Sequence, residues 1–220
     1  MNVERSLDNR FSCRKFKSEV LEDGLIQDLL RGAQKTASWC NTQPWALDIV
    51  SGVALDALSH SLVECARRGD IPNPDIDFPE QYVGVFKDRR KVCGLQLYEA
   101  VGIQRGDVEK TQEQLLENFR FFGAPHVAFI STPIDLGLYG ALDCGLYISS
   151  FMLLAQESGI NTIAQAAVAS YPDIVRQHLS IESSRNLLCG ISFGYGEDSH
   201  PVNSYRTERE AIENIANFYN

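Results

Sequence analysis

Apolar residues return at helical spacing along much of the chain and divide it into helices joined by shorter β-rich runs. Helices are predicted where apolar positions recur every three or four residues, at 19–35, 53–68, 83–102, 107–121 and 138–157. Strands are predicted where apolar residues alternate or run together, at 45–50, 125–131 and 187–194. A strand or loop is expected within 160–168, and Pro172 suits the first turn of a helix that ends at Leu179.

Residues 69–79 interrupt this periodicity with three prolines and three aspartates. A long segment without secondary structure favours a mobile loop or lid. Tyr82 and Phe86 lie one helical turn apart directly after it, so they could cover a site from one side or pack in the core. We expect a lid segment at 69–90 and a C-terminal arm at 200–220.

The predicted helix at 138–157 is apolar on nearly every side. A helix without a polar face is either central in its own subunit or covered by another one. Gly140, Gly145 and Ser149 add small residues that let a second helix approach closely. Burial within the monomer and a large dimer interface both remain open from this pattern.

The composition of the 220-residue chain is that of an ordinary globular protein, with 44% hydrophobic and 22% charged residues. Its length suits one domain spanning 1–220. A net charge of −9 argues against sequence-independent binding to nucleic acid, which needs dense lysine and arginine. The polar N-terminus and the lack of an apolar run of about 20 residues predict a cytoplasmic protein without a membrane span.

The chemistry-bearing residues exclude several kinds of site. The six cysteines are dispersed, without a Cys-x-x-Cys pair or clustered histidines, so reduced thiols and no metal site are predicted. The sequence also lacks glycine-rich dinucleotide and triphosphate loops and a Gly-x-Ser-x-Gly elbow. A site built from arginines, amides and small residues would need a cofactor for demanding chemistry.

Two polar segments are candidates for ligand binding. In 10–16 an extended backbone would place Arg10, Ser12 and Arg14 on one side, where they could clamp an anion such as phosphate. A solvated loop with surface arginines is the alternative for so short an alternation. In 36–45 small, polar and amide side chains stand beside two tryptophans, which suits a flat polar ligand. Turn capping by the amides is the alternative there.

Together these segments resemble the signature of the FMN-dependent nitroreductase family, in which an Arg-x-Ser-x-Arg-x-Phe segment precedes a Ser-x-x-Asn-x-Gln-Pro-Trp turn. The same motifs stand here at 10–16 and 38–45. The resemblance covers almost the entire chain, with weaker motifs at 118–125, 165–172, 190–195 and 203–209. The order of these motifs makes the resemblance specific.

The resemblance implies a set of cofactor and substrate contacts. FMN would be held at its phosphate and ribityl end and its pyrimidine edge by Arg10, Ser12 and Arg14, with Arg206 or Arg209. Four contacts would come from the partner subunit: Ala37, Ser38, Trp39 and Asn41. Gln165 and Ala166 would approach the flavin ring. Trp39 replaces a small residue that is frequent in the family, and it could narrow a substrate pocket that also includes Tyr82 and Phe86.

For the fold, the resemblance implies an α+β protein with a mixed, mostly antiparallel central sheet flanked by helices, in an intertwined homodimer with two composite FMN sites. The implied reaction is reduction of small nitroaromatic or quinone-like acceptors by a ping-pong mechanism, with NADH or NADPH as electron donor. A flavin-dependent enone reductase or dehalogenase on the same scaffold is one alternative. A flavin-binding protein without significant turnover is another.

Overall fold

The computed structural model describes residues 2–219 and places seven α-helices around a four-stranded sheet. The helices are α1 (Val3–Asn9), α2 (Asp23–Ala33), α3 (Gly52–Arg68), α4 (Gly84–Ala100), α5 (Val108–Leu116), α6 (Gly137–Glu157) and α7 (Pro172–Leu179). The strands are β1 (Ala46–Ser51), β2 (His126–Pro133), β3 (Asn161–Gln165) and β4 (Arg185–Gly194). This content confirms the predicted α+β class.

The sheet has the strand order β1-β2-β4-β3, and each pair of neighbouring strands is antiparallel. The segment before α2 extends the sheet beyond β3. There Ser12 forms a parallel bridge with Thr162, and Phe16 forms an antiparallel bridge with Gly196. The sheet is therefore mostly antiparallel, as the resemblance implied, and it brings the N-terminal polar segment to the β3 edge.

Strand β2 is buried on both faces, as its continuous apolar run predicts for a central strand. Ala128 and Ile130 pack with side chains of α2 and α6 on one face of the sheet. Val127 and Phe129 pack with side chains of α3 and α7 on the other. Each large apolar side chain buried in this way contributes about 1.5–3 kcal/mol, so helices on both faces stabilise one layered domain.

Helix ends differ from the sequence prediction at several places. Helix α1 was not predicted, because its sequence is polar and buries only Ser6. Helix α2 begins at Asp23, four residues later than expected. Helix α5 ends at Leu116 instead of 121, because Phe121 and Phe122 adopt φ values of 53° and 55° and bury their rings in two different clusters.

The loop between α3 and α4 contains neither helix nor strand, as predicted, but its first part is tied to the domain. The N–H of Asn73 donates to the Ser170 carbonyl at 2.9 Å. The Asp75 carboxylate accepts from the Arg176 guanidinium at 2.5 Å, and both side chains are largely buried. The lid role of 69–90 stays a prediction. Because these contacts tie down the first part of the segment, a lid would have to be formed by the residues after Asp75.

Helix α6 packs against α1, α2, β2 and β3, and it buries Tyr147 completely. By length and composition alone, Ile134–Glu157 could cross a membrane, so the expectation that no apolar run approaches this length is wrong on those two criteria. The core helix of a globular protein meets the same criteria. Leu138, Leu142 and Leu146 remain exposed at four-residue spacing and form an apolar stripe on the outer side of α6.

Candidate functional site

The segment 10–16 is held in an extended conformation beside β3. The N–H of Cys13 donates to the Thr162 carbonyl at 3.0 Å, and the N–H of Phe16 donates to the Phe122 carbonyl at 3.2 Å. Both Cys13 and Phe16 are buried. These contacts fix the backbone, so the polar side chains between them are positioned by the edge of the sheet.

A cavity of about 300 Å³, which we call the arginine cavity, opens beside this segment. Four arginines and one serine that the sequence singled out line it together: Arg10, Ser12, Arg14, Arg206 and Arg209. The other lining residues are Leu7, Asp8, Phe11, Cys93, Tyr205 and Thr207. The fold therefore joins the basic residues of the N-terminal segment with those of the C-terminal arm.

Asn203 connects the C-terminal arm to Arg14. The N–H of Arg14 donates to Asn203 Oδ1 at 2.8 Å, and Arg14 Nη1 donates to the Tyr205 hydroxyl at 2.8 Å. Buried Asn203 also donates through Nδ2 to the carbonyls of Lys15 at 2.8 Å and Glu197 at 3.0 Å. The sequence reasoning assigned no role to Asn203 or Tyr205, although both stand in the C-terminal motif.

Arg10 provides the clearest indication of an anionic ligand. Its Nε atom is buried and has no hydrogen-bond partner among residues 2–219. Burial lowers the pKa of Arg10, and the neighbouring charge of Arg209 lowers it further. The Arg206 guanidinium lies 3.9 Å from the centroid of the Phe11 ring. An anion would offset the repulsion between the positive charges of Arg10 and Arg209. Phosphate is such an anion, and it accepts the forked N–H donors of guanidinium groups. The residues of the arginine cavity thus fit the phosphate end of FMN.

A second cavity, of about 590 Å³, adjoins the arginine cavity and shares Cys93 and Thr207 with it. Tyr82 and Phe86 both line this cavity. The Arg90 guanidinium lies 5.2 Å from the centroid of the Tyr82 ring. Two of the three predicted substrate residues therefore meet at one apolar cavity, next to the predicted phosphate site.

The turn at 38–45 lies outside both cavities of this chain. None of the four implied flavin contacts in this turn or directly before it lines either cavity: Ala37, Ser38, Trp39 and Asn41. The Trp39 side chain is highly exposed and packs against Tyr139 of α6 in a tilted arrangement, with ring centroids 4.5 Å apart and the ring planes at 49°. Trp39 does not line the cavity of Tyr82 and Phe86 in the same chain. If all three residues contact one substrate, Trp39 must come from a second subunit.

The same turn has a strained backbone. Cys40, Asn41 and Gln43 have φ values of 51°, 56° and 47°, in the left-handed region that residues other than glycine rarely adopt. The N–H of Gln43 donates to Ser38 Oγ at 2.9 Å, and its Oε1 accepts from Gln34 Nε2 at 3.0 Å. Such conformations persist only where the surrounding structure holds them, and they are concentrated at functional sites.

Gln165 is the last residue of β3 and Ala166 follows it directly, and neither lines the arginine cavity. The Gln165 side chain is buried, where Nε2 donates to the Asn118 carbonyl at 2.9 Å and Oε1 accepts from the Ser192 hydroxyl. Ala166 is exposed. Because the amide of Gln165 is used within the core, a contact of Gln165 with a flavin would have to come from its main chain.

Asp143 was missed by the sequence reasoning. Its carboxylate is buried in α6, and both of its oxygens lie 3.1 Å from the Trp39 main-chain nitrogen, whose N–H they accept. The sequence did contain an indication of its role, because Asp143 is the only charged residue of α6 before Glu157. A lone carboxylate in an apolar helix needs a partner, because burying an unpaired charge is costly.

Comparison with known proteins identifies this architecture. Residues 7–195 match the model of the Nitroreductase family. The chain belongs to the nitroreductase family. The match includes both the 10–16 segment and the 38–45 turn, and it confirms the family that these motifs predicted.

Named relatives of this nitroreductase-family chain align over nearly its whole length. Nitroreductase NfnB of Mycolicibacterium smegmatis is 35% identical, over 98% of this chain and 92% of its own. The 4-nitrobenzoate reductase of Pseudomonas putida is 28% identical, over 96% and 92%. The crystal structure of the FMN-dependent nitroreductase NfnB from Mycobacterium smegmatis in complex with NADPH has a TM-score of 0.94, at 34% identity, and covers 99% of this chain and 97% of that one. The predicted nitroreductase-like fold is thereby confirmed.

Proposed function

We propose that the protein is an FMN-dependent oxidoreductase that uses NAD(P)H to reduce nitroaromatic or quinone-like acceptors. The observation that carries this proposal is the arginine cavity, in which the buried Nε of Arg10 lacks a partner among residues 2–219 beside three further arginines. When bound, FMN supplies the transfer of electrons from a nicotinamide donor to the acceptor. The NfnB structure from Mycobacterium smegmatis is a complex with NADPH, which makes NADPH the first donor to test.

The residues of the arginine cavity would bind and orient the cofactor. Arg10 and Arg14 would donate forked hydrogen bonds to the phosphate, and the Ser12 hydroxyl would donate to a remaining oxygen. Arg206 or Arg209 would neutralise the rest of the charge. Main-chain groups of Gln165 and Ala166 would approach the ring, since the Gln165 side chain is committed to the core.

A homodimer would complete the site. The apolar stripe of α6, formed by Leu138, Leu142 and Leu146, is exposed in the single chain, and so are Ile212 and Phe218 in the C-terminal arm. Covering such surfaces favours association, and an obligate interface commonly buries more than about 2,000 Å². The 38–45 turn, with Ala37 directly before it, would then deliver the four implied contacts to the flavin of the partner subunit. We place this dimer in the cytoplasm as a soluble protein.

The acceptor would bind in the cavity next to the arginines. The rings of Tyr82 and Phe86 line that cavity and would stack on a flat acceptor, and Trp39 of the second subunit would narrow it. The sequence has no separate nicotinamide-binding motif. Donor and acceptor would therefore occupy the same place in turn, which predicts ping-pong kinetics.

The deciding experiment starts with the absorbance spectrum and bound cofactor of the purified protein. We expect FMN absorbance that NADPH bleaches and that 4-nitrobenzoate, named in the Pseudomonas relative, restores. Initial rates with both substrates varied should give parallel double-reciprocal lines. A colourless protein that takes up no FMN would refute the function, and intersecting lines would refute the shared place. Flavin that NADPH fails to bleach would indicate a binding protein without turnover.

Replacing Phe86 tests the assignment of the acceptor cavity. We expect Phe86→Ala to raise the KM for the nitroaromatic by about two- to tenfold, because an aromatic contact of about 0.5–1.5 kcal/mol is lost. The rate of flavin bleaching by NADPH should stay unchanged. Val85→Ala is the matched control, since Val85 is exposed on the same helix but does not line the cavity. An equal loss in both half-reactions would remove Phe86 from acceptor selection.

A further inference from the structure

The 38–45 turn is held near both ends by charged side chains of two other elements. At its start, the N–H of Trp39 donates to the buried carboxylate of Asp143 on α6. At its end, the Pro44 carbonyl accepts from Nη2 of Arg185, the first residue of β4, at 2.8 Å. Asp143 and Arg185 are both distant from the turn in sequence. Asp143 accepts a hydrogen bond from the main chain of the turn, and Arg185 donates one to it.

Arg185 also fixes the turn relative to the sheet. Its Nε donates to Ser131 Oγ at 2.9 Å, and its Nη2 donates to the Ser131 carbonyl at 2.7 Å. A guanidinium that contacts Ser131 and Pro44 together joins the end of β2 to the beginning of β1. The planar fork of arginine suits this arrangement, and a lysine ammonium cannot reproduce it.

One face of α6 contacts Trp39 twice. Tyr139 and Asp143 are four residues apart, so both side chains lie on the same side of the helix. The Tyr139 ring packs against the Trp39 ring at a tilt, and Asp143 accepts the Trp39 N–H. The highly exposed indole is therefore held in one direction by contacts on its own chain.

We propose that Asp143 and Arg185 are positioning residues, which hold the strained turn in its flavin-binding conformation before any flavin is bound. The proposal rests on the proposed function, because it assumes that the turn contributes Ser38, Trp39 and Asn41 to a flavin site. The three left-handed residues of the turn would relax if its ends were free. Holding them during folding removes the ordering cost from cofactor binding, which is how preorganisation raises affinity.

Hydrogen exchange of the flavin-free protein tests directly whether Asp143 and Arg185 hold the turn. We expect Asp143→Ala to accelerate amide exchange in the peptide that contains the turn, because the Trp39 N–H loses its acceptor. The same variant should raise the FMN dissociation constant at least about tenfold, as expected when a hydrogen bond to a charged group is lost. Asp143→Asn retains an acceptor oxygen and should stay within about threefold of wild type. Asp135→Ala, an exposed acid just before α6, is the control and should change neither quantity.

Two further variants keep the proposal testable if Asp143→Ala fails to fold. Arg185→Lys keeps the charge but loses the fork, and Tyr139→Leu removes an exposed ring. Both should accelerate exchange of the turn and weaken FMN binding. Wild-type exchange and affinity in the folded variants would overturn the proposal, and so would equal changes in Asp135→Ala. A wild-type protein that binds no FMN would refute the proposed function. Exchange in the flavin-free protein would still show whether Asp143 and Arg185 hold the turn, so the two failures can be told apart.

Discussion

Arg10 is the residue whose environment most clearly favours a negative ligand, because its buried Nε has no partner among residues 2–219. We expect Arg10→Ala to raise the FMN dissociation constant by about ten- to a hundredfold, since a hydrogen bond to a charged group contributes about 1.5–3 kcal/mol. A fluorescence titration measures this change. Arg31→Ala is the control, because Arg31 is exposed and pairs with Asp28 on the surface of α2. Unchanged affinity in both Arg10→Ala and Arg14→Ala would remove the proposed phosphate clamp.

His126 couples the stability of the core to pH. Its Nε2 accepts from the Leu21 N–H at 2.9 Å, its ring stacks on Phe193, and its buried Nδ1 has no partner in the described part of the chain. Burial lowers the pKa of His126, against a smaller opposing effect of Asp23. Below the ordinary histidine pKa of 6.5, the unfolded state therefore binds more protons than the folded state.

The contribution of His126 to stability should be complete above pH 6.5 and should decrease as the pH falls below that value. Urea unfolding between pH 5 and 8 measures the effect, and we expect His126→Gln to have a flatter profile than wild type over this range. His60→Gln, at an exposed histidine of α3, should leave the slope unchanged. Identical slopes in wild type and His126→Gln would contradict the assignment.

At the scale of elements, the Asp75 contacts separate an anchored part of the α3–α4 loop from the rest. Asp75 accepts from Arg176 and from the Leu187 N–H at 2.7 Å. We expect Asp75→Ala to lower the free energy of unfolding by about 1.5–3 kcal/mol, because buried donors lose a charged acceptor. Asp77→Ala, in the exposed part of the same loop, should cost much less. Equal unfolding midpoints for the two variants would show that the anchor does not stabilise the domain.

At the scale of the whole molecule, the apolar stripe of α6 is the surface that the proposed homodimer would cover. We expect Leu142→Glu to convert a dimer into monomers that lose FMN, because a carboxylate in an apolar interface would be buried without a partner. Analytical ultracentrifugation with detection at flavin wavelengths follows both properties. Val53→Glu is the control, since Val53 is highly exposed on α3. A folded wild-type monomer with stoichiometric FMN would contradict the composite site.

The sequence by itself determined the local structure and the chemistry of this protein. Patterns of apolar residues located five of the seven described helices and three of the four described strands, because a repeat of 3.6 or 2 residues reflects which face of an element is buried. Pro172 marked the start of α7. Side-chain type made the arginines of 10–16 candidates for binding an anion, which stays a prediction, and the ordered motifs identified the family. Helix α1 escaped prediction, because it buries too little apolar surface to leave a periodic signal.

Only the tertiary structure decided which of these groups meet. Arg10 and Arg209 share one cavity because the N-terminal segment packs at the β3 edge of the sheet and Asn203 of the C-terminal arm binds the main chain of that segment. The Gln165 side chain is turned into the core, and Asp143 reaches the Trp39 N–H across 104 positions of sequence. Such contacts depend on how helices cover the two faces of the sheet, and local patterns of hydrophobicity carry no information about partners so distant in the chain.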